Sequence, residues 1–295
     1  MENMIEKKKF SLGQNASTIL FLLLFIALFG AVLSFATPNF LTAYNVGVIF
    51  KQMSFFGVAA LGQTLVLIIG GIDLSIGSTA CLSGILFALC MTKTSMNPLV
   101  VVVICVIAGA VMGYINGLFI TKLKLHPFIV TLAASNIGYG FVLVISKGYT
   151  ISGITGKVLT IGQGMLGPVP VPTVIFIVFV AILTYILKCT PFGRELFAIG
   201  GNSAASRLVG INVESRTRLV YLLSGAFAAF AGIMVACRYN SGQPTIGETW
   251  VMNSITAAVI GGTSMAGGVG TVVGTLSLIH ISEPTRLRCI SYAFF

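Results

Sequence analysis

The sequence predicts an all-α, polytopic transmembrane helical bundle, and three observations carry that prediction. Of 295 residues, 56% are hydrophobic and only 8% are charged, against about 25% charged in a typical soluble domain. The apolar residues gather into runs long enough to cross a hydrocarbon core as helices. The cations sit in short connectors between those runs, where they set orientation. The formal net charge of +10 is therefore a topology signal. The continuous basic face of a nucleic-acid reader is absent, so membrane lipid, not nucleic acid, is the surrounding partner.

Taken in order, the chain begins with a polar head, 1–10, whose Lys7, Lys8 and Lys9 stay in the cytoplasm by the positive-inside rule. Eight spans follow. The first, 18–35, ends at Thr37-Pro38 with no clear small-x-small cleavage site after it, and reads as a retained signal anchor. The second, 46–69, carries Lys51 near its start, where the side chain can snorkel. The third, 74–91, is short and rich in small residues. The fourth, 99–120, has Gly109, Gly113 and Gly117 at every fourth position, a close-packing stripe. The fifth is 128–145, the sixth 171–187 and the seventh 219–236. The eighth, 254–273, is cut by Gly261-Gly262 and Gly267-Gly268. The connectors agree with this count: Lys122 and Lys124 after the fourth span, and Lys188, Arg194, Arg207, Arg216 and Arg218 after the sixth, all fall inside. The connector 147–170 falls outside and has only two lysines, Lys147 and Lys157.

The chain is organised around 62–78, GQTLVLIIGGIDLSIGS, which holds its only aspartate, Asp73. The Gly70-Gly71 pair breaks a helix or admits a close neighbour. A carboxylate at that depth is costly in lipid, so it faces protein, water or a partner. It either meets solute, or caps the third span, or pairs with a cytoplasmic cation. Leu67-Ile68-Ile69-Gly70-Gly71 is echoed by Ala258-Val259-Ile260-Gly261-Gly262. Broken apolar segments at matching places in two halves point to the substrate path of a transporter. The candidate path residues are Gly70, Gly71, Asp73, Ser75, Asn116, Gly261, Gly262 and Thr263.

Nothing in the sequence points to an enzyme. His126 and His280 are the only histidines, and neither GxSxG nor HExxH occurs. Gly153-Ile154-Thr155-Gly156-Lys157 lacks the spacing and the hydroxyl of a phosphate-binding loop, so if the chain takes part in ATP-driven transport the ATPase must be another chain. No metal or other cofactor is called for. The six cysteines show no CxxC spacing and read as small apolar fillers. Ion coupling normally leaves several ionisable groups inside the spans; here Asp73 alone qualifies.

The longest cytoplasmic connector, 188–218, reads KCTPFGRELFAIGGNSAASRLVGINVESRTR. Gly200-Gly201-Asn202 is expected to turn, and Asn202 or Ser203 to cap a short helix over 204–209 that Gly210 ends. Such a helix, basic at Arg207, suits docking into a groove of a partner.

These stretches, with Pro127-Phe128-Ile129-Val130-Thr131-Leu132 and 257–274, resemble the permease subunits of sugar-type ABC importers: the ribose, xylose and galactose permeases and the related autoinducer importer permeases. The resemblance runs from the first span to Gly274 and does not name the sugar. It implies a channel of two permease subunits, expected as a homodimer, in a bacterial inner membrane. Two cytoplasmic ATP-binding subunits would drive it and an extracytoplasmic solute-binding protein would deliver the solute. It also implies that Gly201, Asn202, Ala205, Arg207 and Gly210 form the ATPase-coupling helix. Ala204 stands where the family often has glutamate, and His126 where it usually has asparagine. Permeases for nucleosides or branched-chain amino acids share the architecture. An ion-coupled carrier or a channel is the rival class, and has no need of a capped docking helix.

The end departs from that pattern. The permease domain is expected over 1–274. Segment 275–295 reads as a non-native tail, because Leu276 to Arg286 can be encoded by read-through of a transposase-based sequencing adapter. The expectation is that further apolar sequence, and one or more spans, is missing.

Overall fold

The computed structural model describes residues 42–272 and Leu28. Apart from Leu28, the expected first span at 18–35 lies outside the described residues, as does the tail 275–295. The chain divides into two compact units, 1–49 with 283–295, and 50–282; the second holds everything that follows beyond the first turns of its leading helix.

Among the described residues, six helices are long and apolar enough to cross a membrane: α1 (Ala43–Ile68), α2 (Ile76–Lys93), α3 (Pro98–Lys122), α4 (Pro127–Ser146), α6 (Val171–Cys189) and α9 (Val213–Tyr239). Between α4 and α6 lie β1 (Ile151–Ser152), a 3-10 turn (Lys157–Leu159), α5 (Thr160–Gln163) and the hairpin of β2 (Met165–Leu166) with β3 (Val169–Pro170). Two shorter helices, α7 (Pro191–Gly201) and α8 (Ser203–Leu208), link α6 to α9. After α9 come β4 (Ser241–Gly242), which pairs antiparallel with β1, and α10 (Trp250–Ile260).

Local chemistry starts the helices. Asn97 precedes Pro98 and its side chain accepts the Leu99 N–H at 2.9 Å, capping α3. His126 precedes Pro127 and its Nδ1 accepts the Phe128 N–H at 3.4 Å. The histidine thus performs the cap that the asparagine performs one helix earlier.

Helices α1 and α9 form the centre. Val58, Ala59, Ala60, Leu61 and the run Leu65 to Ile68 are fully buried in α1, as are Val220, Tyr221, Ala228, Ala229, Ala231 and Ile233 in α9. Helix α9 packs most extensively on α3 and then on α2. The expected glycine stripe lies at the α3 seam: Gly109, Gly113 and Gly117 lie against Gly225, Tyr221 and Arg218 of α9 so closely that any side chain would meet backbone. The outward faces of α3, α4 and α6 leave large apolar residues exposed, among them Leu99, Val103, Ile137, Phe141, Val144 and Ile182, as a lipid-facing surface requires. Cys105 and Cys237 pack in an apolar cluster with Phe87, Val101, Ile154 and Ile233. Lys51 donates to the Gln163 carbonyl at 3.3 Å and so ties α1 to α5.

Two expectations are corrected. The eighth span does not run through 254–273: α10 has only 11 residues and stops at the first glycine pair. The connector is also more helical than read. Gly200-Gly201 are the last turn of α7, an 11-residue helix, not a loop. Thr190 caps it, Pro191 occupies the first helical position, and Leu196 and Ile199 are buried on one face. That amphipathic spacing outweighs the turn signal of two adjacent glycines.

Candidate functional site

The break after α1 has a definite geometry. Gly70 adopts φ +76°; its N–H bonds the Leu67 carbonyl, and the Gly71 N–H bonds the Val66 carbonyl, both at 2.9 Å. This is a Schellman motif, which needs a left-handed residue that glycine adopts without strain. The same motif ends α10. Gly262, at φ +89°, bonds Val259, and the Thr263 N–H bonds Ala258, both at 3.0 Å. The sequence echo paired Gly70 with Gly261, whereas the structural equivalent of Gly70 is Gly262, one residue further on.

The released chain turns directly into α2 through Asp73 and Ser75. Asp73 is 1% exposed, and its carboxylate is fully engaged. Oδ1 accepts the Ser75 N–H at 2.9 Å and the Ser75 hydroxyl at 2.6 Å. Oδ2 accepts the Ser224 hydroxyl of α9 at 2.8 Å. The Asn116 amide of α3 donates to the Ser75 hydroxyl at 2.9 Å. The preceding carbonyl, Ile72, receives the Tyr221 hydroxyl of α9 at 3.3 Å, with the Thr131 hydroxyl of α4 at 3.4 Å. One four-residue turn is thus held by α3, α4 and α9. A buried carboxylate needs this many donors to remain in place. Its donors are hydroxyls and a backbone N–H; among the described residues no cation pairs with it. Ser75, not Asp73, stands at the N-cap of α2, and Asp73 holds that residue from two positions earlier.

The two breaks meet. A side chain on Gly70 would lie 3.4 Å from the Ala266 carbonyl, and one on Gly267 would lie 2.8 Å from the Gly70 nitrogen and 2.9 Å from the Gly200 carbonyl. The Gly268 N–H bonds the Ile68 carbonyl at 2.9 Å, and Gly268 also abuts Gly201. The end of α1, the chain after α10 and the last turn of α7 therefore form one backbone junction, possible because glycine occupies each contact.

Of the predicted path residues, Asp73, Ser75 and Asn116 come together in one network, with Gly71 beside the Tyr221 hydroxyl. Gly70 belongs to the junction. Thr263 is 1% exposed, while Gly262 faces open space. Sequence reasoning missed Ser224, Tyr221 and Thr131. The only signal for Ser224 was its place beside Gly225 in a run of small residues.

Beyond the junction, α8 projects. Asn202 Oδ1 accepts the Ala205 N–H at 3.0 Å, and Gly210 and Ile211 close the other end on the carbonyls of Arg207 and Ser206. From Gly201 to Gly210 every residue is exposed except Ser206. Leu208 is 90% and Val209 76% exposed. Arg207 pairs with Glu214 at 2.7 Å, and Arg216 pairs with Glu195 while its guanidinium sits over the Phe192 ring.

A helical membrane bundle with two broken segments that meet at a backbone junction, a buried polar knot behind the first of them, and a capped helix held out at one end, is the build of a transport subunit. The comparisons make that specific. The chain belongs to the family described as branched-chain amino acid transport system / permease component, whose model matches residues 45–285. It is a permease subunit and a multi-pass protein of a bacterial inner membrane, not an enzyme. It is 38% identical over 250 residues to the ribose import permease protein of Haemophilus influenzae, covering 83% of this chain and 77% of that one. It is 40% identical over 247 residues to the ribose import permease protein of Bacillus subtilis, covering 83% and 76%. With the galactose/methyl galactoside import permease protein of Escherichia coli it shares 34% over 273 residues, covering 85% and 80%. No solved structure matches it.

Proposed function

We propose that this chain forms the membrane path of an ATP-driven importer for sugars or similar small polar solutes. It pairs with a second copy of itself, two cytoplasmic ATP-binding subunits and an extracytoplasmic solute-binding protein. The observation that carries this reading is α8. A helix capped at both ends, exposed on nearly every side and bearing two bare aliphatic residues is shaped for a groove in another protein. Gly201, Asn202, Ala205, Arg207 and Gly210 belong to this docking element, and Ala204 offers no charge to it. A carrier driven by an ion gradient has no use for such a helix, and the one carboxylate in the path, Asp73, is already saturated by neutral donors.

The backbone junction gives α8 a route to the path. Helix α7 ends at Gly201, one residue before the cap of α8, and that end touches both broken segments. A push on α8 therefore reaches Gly70 and Gly71, and the chain that follows Gly261, Gly262 and Thr263, through the close contacts of Gly200 and Gly201 with Ile68, Gly267 and Gly268, while the Asp73, Ser75 and Asn116 knot keeps the start of α2 fixed.

The test is reconstitution with the ATP-binding subunits and binding protein in liposomes, with labelled D-ribose, D-fructose, D-allose and D-galactose offered outside. ATP-dependent accumulation of one of them is the expected result. Accumulation driven by a proton or sodium gradient, without the ATP-binding subunits, would end this reading.

A further inference from the structure

Gln63 lies in the last two turns of α1 with 0% exposure, and among the described residues neither its Oε1 nor its Nε2 has a protein group in hydrogen-bond reach. Thr263 Oγ1, in a residue 1% exposed, is in the same condition. The contrast with the rest of the interior is sharp. Asp73, Ser75, Asn116 and Ser224 satisfy one another, and Ser54 bonds Thr173 at 3.1 Å. Tyr139 and Thr184 also carry unpartnered oxygens, but both residues are only partly buried.

Gln63 and Thr263 belong to facing elements. Phe56, two helical turns before Gln63 and so on the same face, meets Trp250 of α10 edge-on with ring centroids 6.5 Å apart. Gly70, seven residues after Gln63, lies against Ala266 and Gly267. At Phe56 the face of α1 that carries Gln63 is thus turned toward α10, and the chain beyond α10 meets the turn that ends α1. Thr263 and Ile68 both flank Gly270, so the chain after α10 reaches the last turn of α1, about 7.5 Å along the axis from Gln63 and on another face of the helix.

A buried amide with nothing to bond destabilises a bundle, and a leucine of similar volume would not. A residue that lowers stability where an apolar one would fit marks a position held for function. We propose that Gln63, with Thr263, contacts the solute during its passage. A primary amide presents an acceptor and a two-hydrogen donor side by side, which matches neighbouring hydroxyls of a polyhydroxylated solute. In this conformation both groups are sealed, so solute meets them only when α1 and the segment after α10 part. This rests on the transport reading above and names two of its contacts.

The experiment compares wild type, Gln63→Leu and Thr263→Val in the reconstituted importer with the four labelled sugars, and measures the melting of each purified permease. The expected result is that Gln63→Leu assembles with its partners, melts no lower than wild type and carries the transported sugar about tenfold more slowly at saturation, as removal of a hydrogen-bonding group from a buried site should. Thr263→Val should slow it less. Half-saturation should move little, since the binding protein captures the solute. Equal maximal rates for wild type and Gln63→Leu overturn the proposal. So does a Gln63→Leu protein that melts lower and loses uptake only in proportion to the protein lost, which would make the amide a packing group. If wild type itself moves none of the four sugars with ATP, the transport reading falls and this assignment falls with it; sugar uptake unchanged by Gln63→Leu removes the assignment alone.

Discussion

Gly113 permits a test of how α3 and α9 are held. An alanine methyl there would lie 2.9 Å from the Tyr221 carbonyl carbon and 3.2 Å from Gly225 Cα, and nearer still to the Tyr221 oxygen. Carbon atoms rest at about 3.5–4.0 Å from their neighbours, and the oxygen is the tighter contact, so the two helices must separate by more than about 1 Å. The obstacle is backbone on both sides, and no side chain can swing away. Overpacking of this kind costs about 1–3 kcal/mol. Gly140 on α4 is the control: a methyl there meets nothing within 4 Å, and alanine favours helix over glycine by about 0.5–1 kcal/mol. The same substitution should therefore act in opposite directions at two helical glycines of one protein. In thermal unfolding of the purified full chain in nanodiscs, Gly113→Ala should lower the midpoint by about 2–12 °C, at about 2–4 °C per kcal/mol. Gly140→Ala should leave it unchanged or raise it. Shifts of the same sign at both positions, or no shift at Gly113, would refute the reasoning. Gly225 faces the same seam, where its own methyl would meet Gly113 Cα at 3.1 Å. Gly113→Ala with Gly225→Ala should thus cost less than the sum of the two, because one separation serves both.

Three further substitutions test other parts of the structure. Asp73→Asn keeps an acceptor for Ser75 but turns charge-assisted bonds into neutral ones, a loss of about 1–3 kcal/mol; it should lower the yield of assembled importer or its uptake in vesicles, and normal values of both would remove Asp73 from the mechanism. Asn202→Ala deletes the bond to the Ala205 N–H and should cost α8 about 1 kcal/mol, seen as faster amide exchange over 203–208 with the spans unchanged; equal exchange would mean that the partner, not the cap, forms the helix. Leu208→Asp puts a charge on a residue that touches little else in the chain, so melting should stay within about 0.5 kcal/mol of wild type while capture of the ATP-binding subunits by the tagged permease drops at least tenfold; undiminished capture would move the docking surface elsewhere.

What could be read from the residues, and what could not, divides along a physical line. Spans announce themselves through length and apolarity, because lipid leaves the backbone no other way to satisfy its polar groups, so α1 to α4 and α6 fall within a few residues of the stretches expected, while α9 begins six residues before the expected 219, its first turns carrying the charged Glu214, Arg216 and Arg218. The stripe Gly109, Gly113, Gly117 was legible for the same reason: a period of four on one helix has no other evident use than close approach. Asn202 and Gly210 were legible because caps are local. Pairings between distant helices carry no such mark. Asp73 fell in an evident break, yet its partner Ser224 lies 151 positions away on a helix whose serine is no different in sequence from any other. The eighth span failed for a related reason. Apolar content continues past Ile260, but Gly261 and Gly262 complete a Schellman motif whose outcome depends on the chain beyond folding back to bond Ile68. Gln63 is the limiting case. In sequence it is one polar residue in an apolar run, and only the full burial of an amide with no partner separates it from Gln163, whose side chain bonds the carbonyls of Cys237 and Arg238. Helix-by-helix reading finds the frame of a transporter; the residues proposed to meet its cargo are singled out by the bonds they fail to make at rest.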